Sequence, residues 1–167
     1  SAAVILNKDI HLKLLKDSKK ISFKNRIKIA EHIKSNSYYA IGVASVEEIL
    51  SLNILQASLL SMKRAINKLS IKPELVLIDG NFAPKGIKKF KTIVNGDEKI
   101  KCISAASIIA KTYRDLLMIK LSKKYKNYAW ERNFGYGTKA HMDGLKKFGI
   151  TSHHRKGFKP IYKILSK

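Results

Sequence analysis

Apolar residues along the chain alternate between short continuous runs and longer stripes at helical spacing. Ala2 to Leu6 is a short apolar run that reads as a strand, and Asn7 to Lys20 is polar and lysine-rich, as a loop would be. Ser22 is placed to cap a helix whose apolar positions are Phe23, Ile27, Ala30 and Ile33. Tyr38 to Val43 has the β-branched and aromatic character of a strand. Ser45 and Glu48 then form an S-x-x-E capping box, which opens one long helix with Ile49, Leu52, Leu55, Leu59, Met62, Ile66 and Leu69 facing a core. Pro73 closes that region. Leu75 to Ile78 is wholly apolar, as expected of a strand buried on both faces, and Thr92 to Val94 is a second such run. A further helix starts at Ser104, where Ala105, Ala106 and Ser107 allow close backbone packing, and runs to Leu121. Gly135-Tyr136-Gly137 is a loop, Thr138 caps a short helix, and Gly149 sits where that helix should stop. The tail from Ser152 is basic, with Phe158, Ile161 and Tyr162 as anchors. Strands interleaved with helices predict an α/β fold, and 167 residues suit one domain.

Charge narrows the picture. There are 34 basic and 12 acidic residues, a formal net charge of +22, which points to a polyanionic partner such as nucleic acid. Only five of the basic residues are arginine (Arg26, Arg64, Arg114, Arg132, Arg155), so point-charge phosphate attraction is favoured over bidentate base reading. The alternative is a compositional lysine bias on an ordinary surface. Cys102 is the single cysteine, so no internal disulfide can form, and the cytoplasm is the default compartment. The five histidines lack zinc-type spacing, so His141 and His154 read as structural or phosphate-facing. Neither a P-loop nor a G-x-S-x-G elbow occurs.

Asp79 and Asp97 each follow an apolar strand and each adjoin a glycine. Strand ends are where α/β sheets bind ligands, and two close carboxylates repel unless a cation sits between them. With so few acids in the chain, a hard divalent cation is the leading expectation, against the plain alternative that both are turn residues. Tyr136 between its glycines could stack on a sugar or base, or pack on its own domain. Lys19 and Lys20 could contact phosphates or simply be solvated.

The blocks Asp17-Ser18-Lys19-Lys20, Ala40 to Ile49, Leu52 to Ala57, Leu77-Ile78-Asp79-Gly80-Asn81, Gly96-Asp97, Ser104 to Lys111 and Gly135-Tyr136-Gly137-Thr138-Lys139-Ala140-His141 occur in the order found in bacterial ribonuclease HII. The chain resembles that family over essentially its full length. The resemblance implies an RNase H-like mixed sheet flanked by helices, with a helical C-terminal part. It implies an endoribonuclease that hydrolyses the RNA strand of RNA–DNA hybrids and incises at ribonucleotides embedded in duplex DNA. Mn²⁺ or Mg²⁺ is the implied cofactor, held by Asp79 and Asp97 as catalytic residues, with 3′-hydroxyl and 5′-phosphate ends as products. Tyr136, Ser18, Lys19 and Lys139 are the implied substrate contacts, and a cytoplasmic monomer the implied form. Two further family carboxylates belong to an Asp-Glu-Ala-Gly-Arg-Gly motif ahead of the segment matching Ala2 to Leu6, and that motif is absent from these residues. Residues 1–167 are therefore expected to be one ribonuclease HII-type domain lacking its first strand. Smaller departures are Asn133-Phe134 in place of His-Lys, and His153 and Gly157 where Pro and Ser are common. The competing expectation is a non-catalytic, basic nucleic-acid-binding remnant.

Overall fold

Ser22 does cap the first helix: its hydroxyl accepts from the Asn25 N–H at 3.4 Å, opening α1 (Phe23–Ser35). The computed structural model describes residues 1–7 and 21–166. Strand β1 (Ala2–Leu6) pairs antiparallel with β2 (Ser37–Ile41), with Val4 opposite Tyr39. Strand β3 (Val76–Asp79) pairs in parallel with β4 (Phe90–Ile93), and Asp79 lies opposite Ile93. Both pairing senses expected of a mixed sheet are present, carried by two two-stranded sheets. The helices are α2 (Val46–Asn67), α3 (Gly96–Lys99), α4 (Lys101–Lys124), α5 (Trp130–Asn133), α6 (Lys139–Phe148) and α7 (Lys159–Leu165).

Contacts divide the chain into two compact units: residues 1–44 with 55–112, and residues 45–54 with 113–167. In the first, Ala30 and Ile33 of α1 and Ala105, Ile108 and Ile109 of α4 make a core on which Ala2, Val4, Leu6 and Ile41 pack. The alternation of β1 explains the match: Ala2, Val4 and Leu6 share one face of a strand. In the second unit, Met118, Tyr128, Trp130, Leu145 and Ile161 form a separate core.

Several expectations are corrected. The long helix is broken at Asn53, whose φ of 69° and ψ of 167° interrupt α2. The hydrophobic stripe runs on across Asn53 without a gap, so it could not announce the break. Nor is the leucine stripe the buried one. Leu52 and Leu55 are exposed, whereas Ala57, Ser61 and Ala65 are buried. These small residues let the chain at Gly42 come against the backbone at Ser61 and Ala65, where any side chain at position 42 would clash. Leu75 to Ile78 is not buried on both faces: Leu75 is exposed and only Ile78 is buried. Helix α4 starts at Lys101 rather than Ser104, and α3 and α5 are one-turn helices too short to leave a periodic signal. The basic tail forms α7, in which Ile161 is buried while Phe158 and Tyr162 are exposed.

The partial exposure of β3 has a local cause. Among the described residues, β1 pairs only with β2 and β3 only with β4, so each keeps one edge without a strand partner. A mainly apolar cavity of about 740 Å³ is lined by residues of β1 and β3 together with Met62, Ile66, Ile103 and Ala106.

Candidate active site

Strand β3 ends at Asp79, and the parallel strand β4 ends in register with it at Ile93. Beyond β4 the chain turns through Asn95, which is left-handed at φ 54°, into α3. The Lys99 ammonium donates to the Val94 carbonyl at 2.7 Å and ties this turn. The Gly96 N–H donates to Asp79 Oδ1 at 2.8 Å, so one carboxylate is oriented by the residue directly before the other, Asp97. Gly96 suits that approach: a Cβ there would sit 2.7 Å from Ile103 Cδ1, which would have to shift, and 3.4 Å from Asp79 Oδ1. Asp79 is exposed and Asp97 half-buried. The Asp79 carboxylate thus meets the backbone one residue before Asp97, which stands in the first turn of α3 rather than at a strand end. Both side chains offer only oxygen donors, which suits a hard divalent cation. Among the described residues no group of three or more His, Cys, Asp or Glu converges.

Tyr136 and Lys139 lie in the second unit. Phe134 (φ 50°) and Gly135 (φ 85°) are consecutive left-handed residues that turn the chain so that Tyr136 stands 61% exposed. Gly135 also packs closely, because a Cβ there would come within 3.1 Å of Met118 Cε and 3.3 Å of Arg114 Nη2. Lys139 is exposed at the start of α6, which Thr138 caps by accepting from the His141 N–H at 3.4 Å. Ser18 and Lys19 lie outside the described residues.

Sequence reading missed two contributors, Gly96 and Arg114, and left the roles of His141 and His154 open. Gly96 orients Asp79, and its only signal was its place before Asp97. Arg114, an exposed residue of α4, has its guanidinium value lowered by partial desolvation first and by the charge of Arg155 second. His141 and His154 are each 6% exposed, which settles them as structural rather than phosphate-facing. Burial, helped by the neighbouring His141, brings His154 down to about 4.

The sequence profile of the ribonuclease HII family matches residues 1–163. The chain is 56% identical to the ribonuclease HII of Pelagibacter ubique, covering 99% of this chain and 89% of that protein. It is 48% identical to that of a Wolbachia species, covering 96% and 79%. Its fold is similar to the ribonuclease H2 crystal structure from Pyrococcus horikoshii, with a TM-score of 0.77, 22% identity and coverage of 99% and 96%. It is also similar to a structure of Bst-RNase HIII in complex with Mn²⁺, with a TM-score of 0.66, 16% identity and coverage of 93% and 58%. Such matches do not favour the reading of a non-catalytic basic binder. The chain belongs to the ribonuclease HII family, hydrolases of the ribonuclease H type, and is an endoribonuclease acting on RNA–DNA hybrids.

Proposed function

We propose that Asp79 and Asp97 hold Mn²⁺ or Mg²⁺ and are catalytic in cutting both the RNA strand of hybrids and ribonucleotides embedded in duplex DNA. The products are 3′-hydroxyl and 5′-phosphate ends. The observation that supports this reading is the 2.8 Å bond from the Gly96 N–H to Asp79 Oδ1, which ties the end of β3 to the residue before Asp97. A Mn²⁺ complex is described for the similar Bst-RNase HIII. When bound, such a cation stabilises developing charge on phosphoryl oxygens and makes a bound water more acidic. The chain's own residues do the rest. Gly96 fixes the Asp79 carboxylate, Tyr136 offers its exposed ring to the deoxyribose beside the cut, and Lys139, Ser18 and Lys19 hold phosphates. The net charge of +22 draws the polyanion in, and in this reading the enzyme works as a monomer. A lone cysteine suits the reducing cytoplasm, where we place it.

The remaining two carboxylates belong, in this reading, to an Asp-Glu-Ala-Gly-Arg-Gly segment encoded ahead of Ser1. That segment adds a strand along the edges of β1 and β3, so that residues 1–167 are one ribonuclease HII-type domain without its first strand. The apolar cavity lined by both strands supports this.

Asp79→Asn in the full-length protein tests the site. Cleavage of a hybrid is expected to disappear while hybrid binding stays within about twofold, because the amide keeps the shape but not the charge that holds a cation. Native-like cleavage by the variant would refute the assignment.

A further inference from the structure

The second unit contains a closed chain of hydrogen bonds whose donors and acceptors can be assigned one by one. The Thr151 N–H donates to His154 Nδ1 at 2.9 Å, so that nitrogen carries a lone pair and the proton of the neutral ring is on Nε2. His154 Nε2 lies 3.1 Å from His141 Nε2. The Trp130 indole N–H also points at His141 Nε2, at 3.2 Å. Indole only donates, so His141 Nε2 is the acceptor of both bonds, and the His141 proton is on Nδ1. That nitrogen lies 2.9 Å from the Tyr136 carbonyl oxygen, to which it can only donate. A proton added to His141 Nε2 would face two N–H donors, so the arrangement closes only with both rings neutral.

The far end of this chain is the residue proposed above to meet the substrate. Tyr136 follows two left-handed residues and precedes a second glycine, a backbone with little stiffness of its own. Its N–H donates to the Asn133 carbonyl at 2.8 Å, and its carbonyl accepts from the Thr138 N–H at 2.8 Å. Both bonds are internal to the loop. The bond from His141 comes instead from the buried core, where Tyr128 and Trp130 flank the two imidazoles at centroid distances of 5.1 to 6.1 Å.

We propose that His154 and His141 are positioning residues that act as a neutral imidazole relay, holding the Tyr136 backbone and so the direction of its ring. The proposal rests on the reading of Tyr136 as a substrate contact, though the tautomers do not. Groups facing His154 are consistent with a neutral ring: His141 on α6, His153 beside it, the Tyr128 phenol and the Trp130 indole, with no carboxylate against it among the described residues. Burial holds its value well below that of an ordinary histidine.

Two measurements test it on the full-length protein. Long-range proton–nitrogen NMR of the imidazoles is expected to show His141 protonated at Nδ1 and His154 at Nε2; His141 protonated at Nε2 overturns the relay. A double-mutant cycle on hybrid cleavage reads the coupling. His141→Leu is expected to lower kcat/KM roughly fivefold, about one hydrogen bond's worth, and by less than about twofold when Tyr136 is already alanine. His141→Asn, which retains a side-chain N–H near the Nδ1 position, should recover most of the loss. Equal losses in both backgrounds overturn the positioning role. Unchanged cleavage by Tyr136→Ala alone instead removes the substrate reading of Tyr136, and with it the functional part of the proposal.

Discussion

Gly96 is the residue on which the candidate site turns, because its N–H holds Asp79 and its missing side chain makes room for Ile103. Gly96→Val is therefore expected to destabilise the protein by about 1–3 kcal/mol through overpacking, and to lower hybrid cleavage by displacing the Asp79 carboxylate. Denaturant unfolding and a cleavage assay check both effects, and native values of each would show that the approach is not needed. Asp79 and Asp97 were legible in the sequence because carboxylates are scarce and each followed an apolar run. Gly96 was not, since a glycine in a turn has many uses and only the neighbouring Ile103 shows which one applies. The histidines were ambiguous for the same reason: polarity alone cannot tell a buried, hydrogen-bonded ring from an exposed one.

Elements with strong local codes were read correctly. The capping box forms as expected, with the Ser45 N–H donating to Glu48 Oε2 at 2.9 Å and the Glu48 N–H to Ser45 Oγ at 3.1 Å. The Thr138 cap and the Gly149 stop, at φ 72°, also appear where the residues placed them. The break at Asn53 and the burial of Ala57, Ser61 and Ala65 were hidden, because small residues carry little hydrophobic signal and gain their place from close backbone contact. The strand proposed ahead of Ser1 is also a matter of elements. In the full-length protein, the β1 and β3 edge amides that make no ladder bond to β2 or β4 are expected to exchange slowly with solvent deuterium. Fast exchange there would count against a strand between them, as would a coding sequence without Asp-Glu and Gly-Arg-Gly about a dozen residues before Ala2.

Across the whole molecule, His154 links stability to pH. The folded state resists protonating His154 until about pH 4, whereas the unfolded chain takes up that proton near 6.5. The unfolded state thus binds more protons between these values, so this contribution to stability is complete above pH 6.5 and declines as pH falls toward 4. Thermal melts from pH 7 to pH 4 should show a falling midpoint, with a shallower fall for His154→Gln; equal slopes would exclude His154 as a source. The two separate cores follow the same division between what is local and what is not. By itself the sequence determined the class of fold, the caps, Asp79 at the end of its strand and the basic field, because these depend on residue type, spacing and charge. Only the tertiary structure decided that Gly96 bonds to Asp79, which helix face is buried, and that two buried histidines bond to each other and to the Tyr136 carbonyl. Those outcomes depend on side chains distant in sequence meeting within hydrogen-bond or van der Waals range, a quantity no single segment encodes.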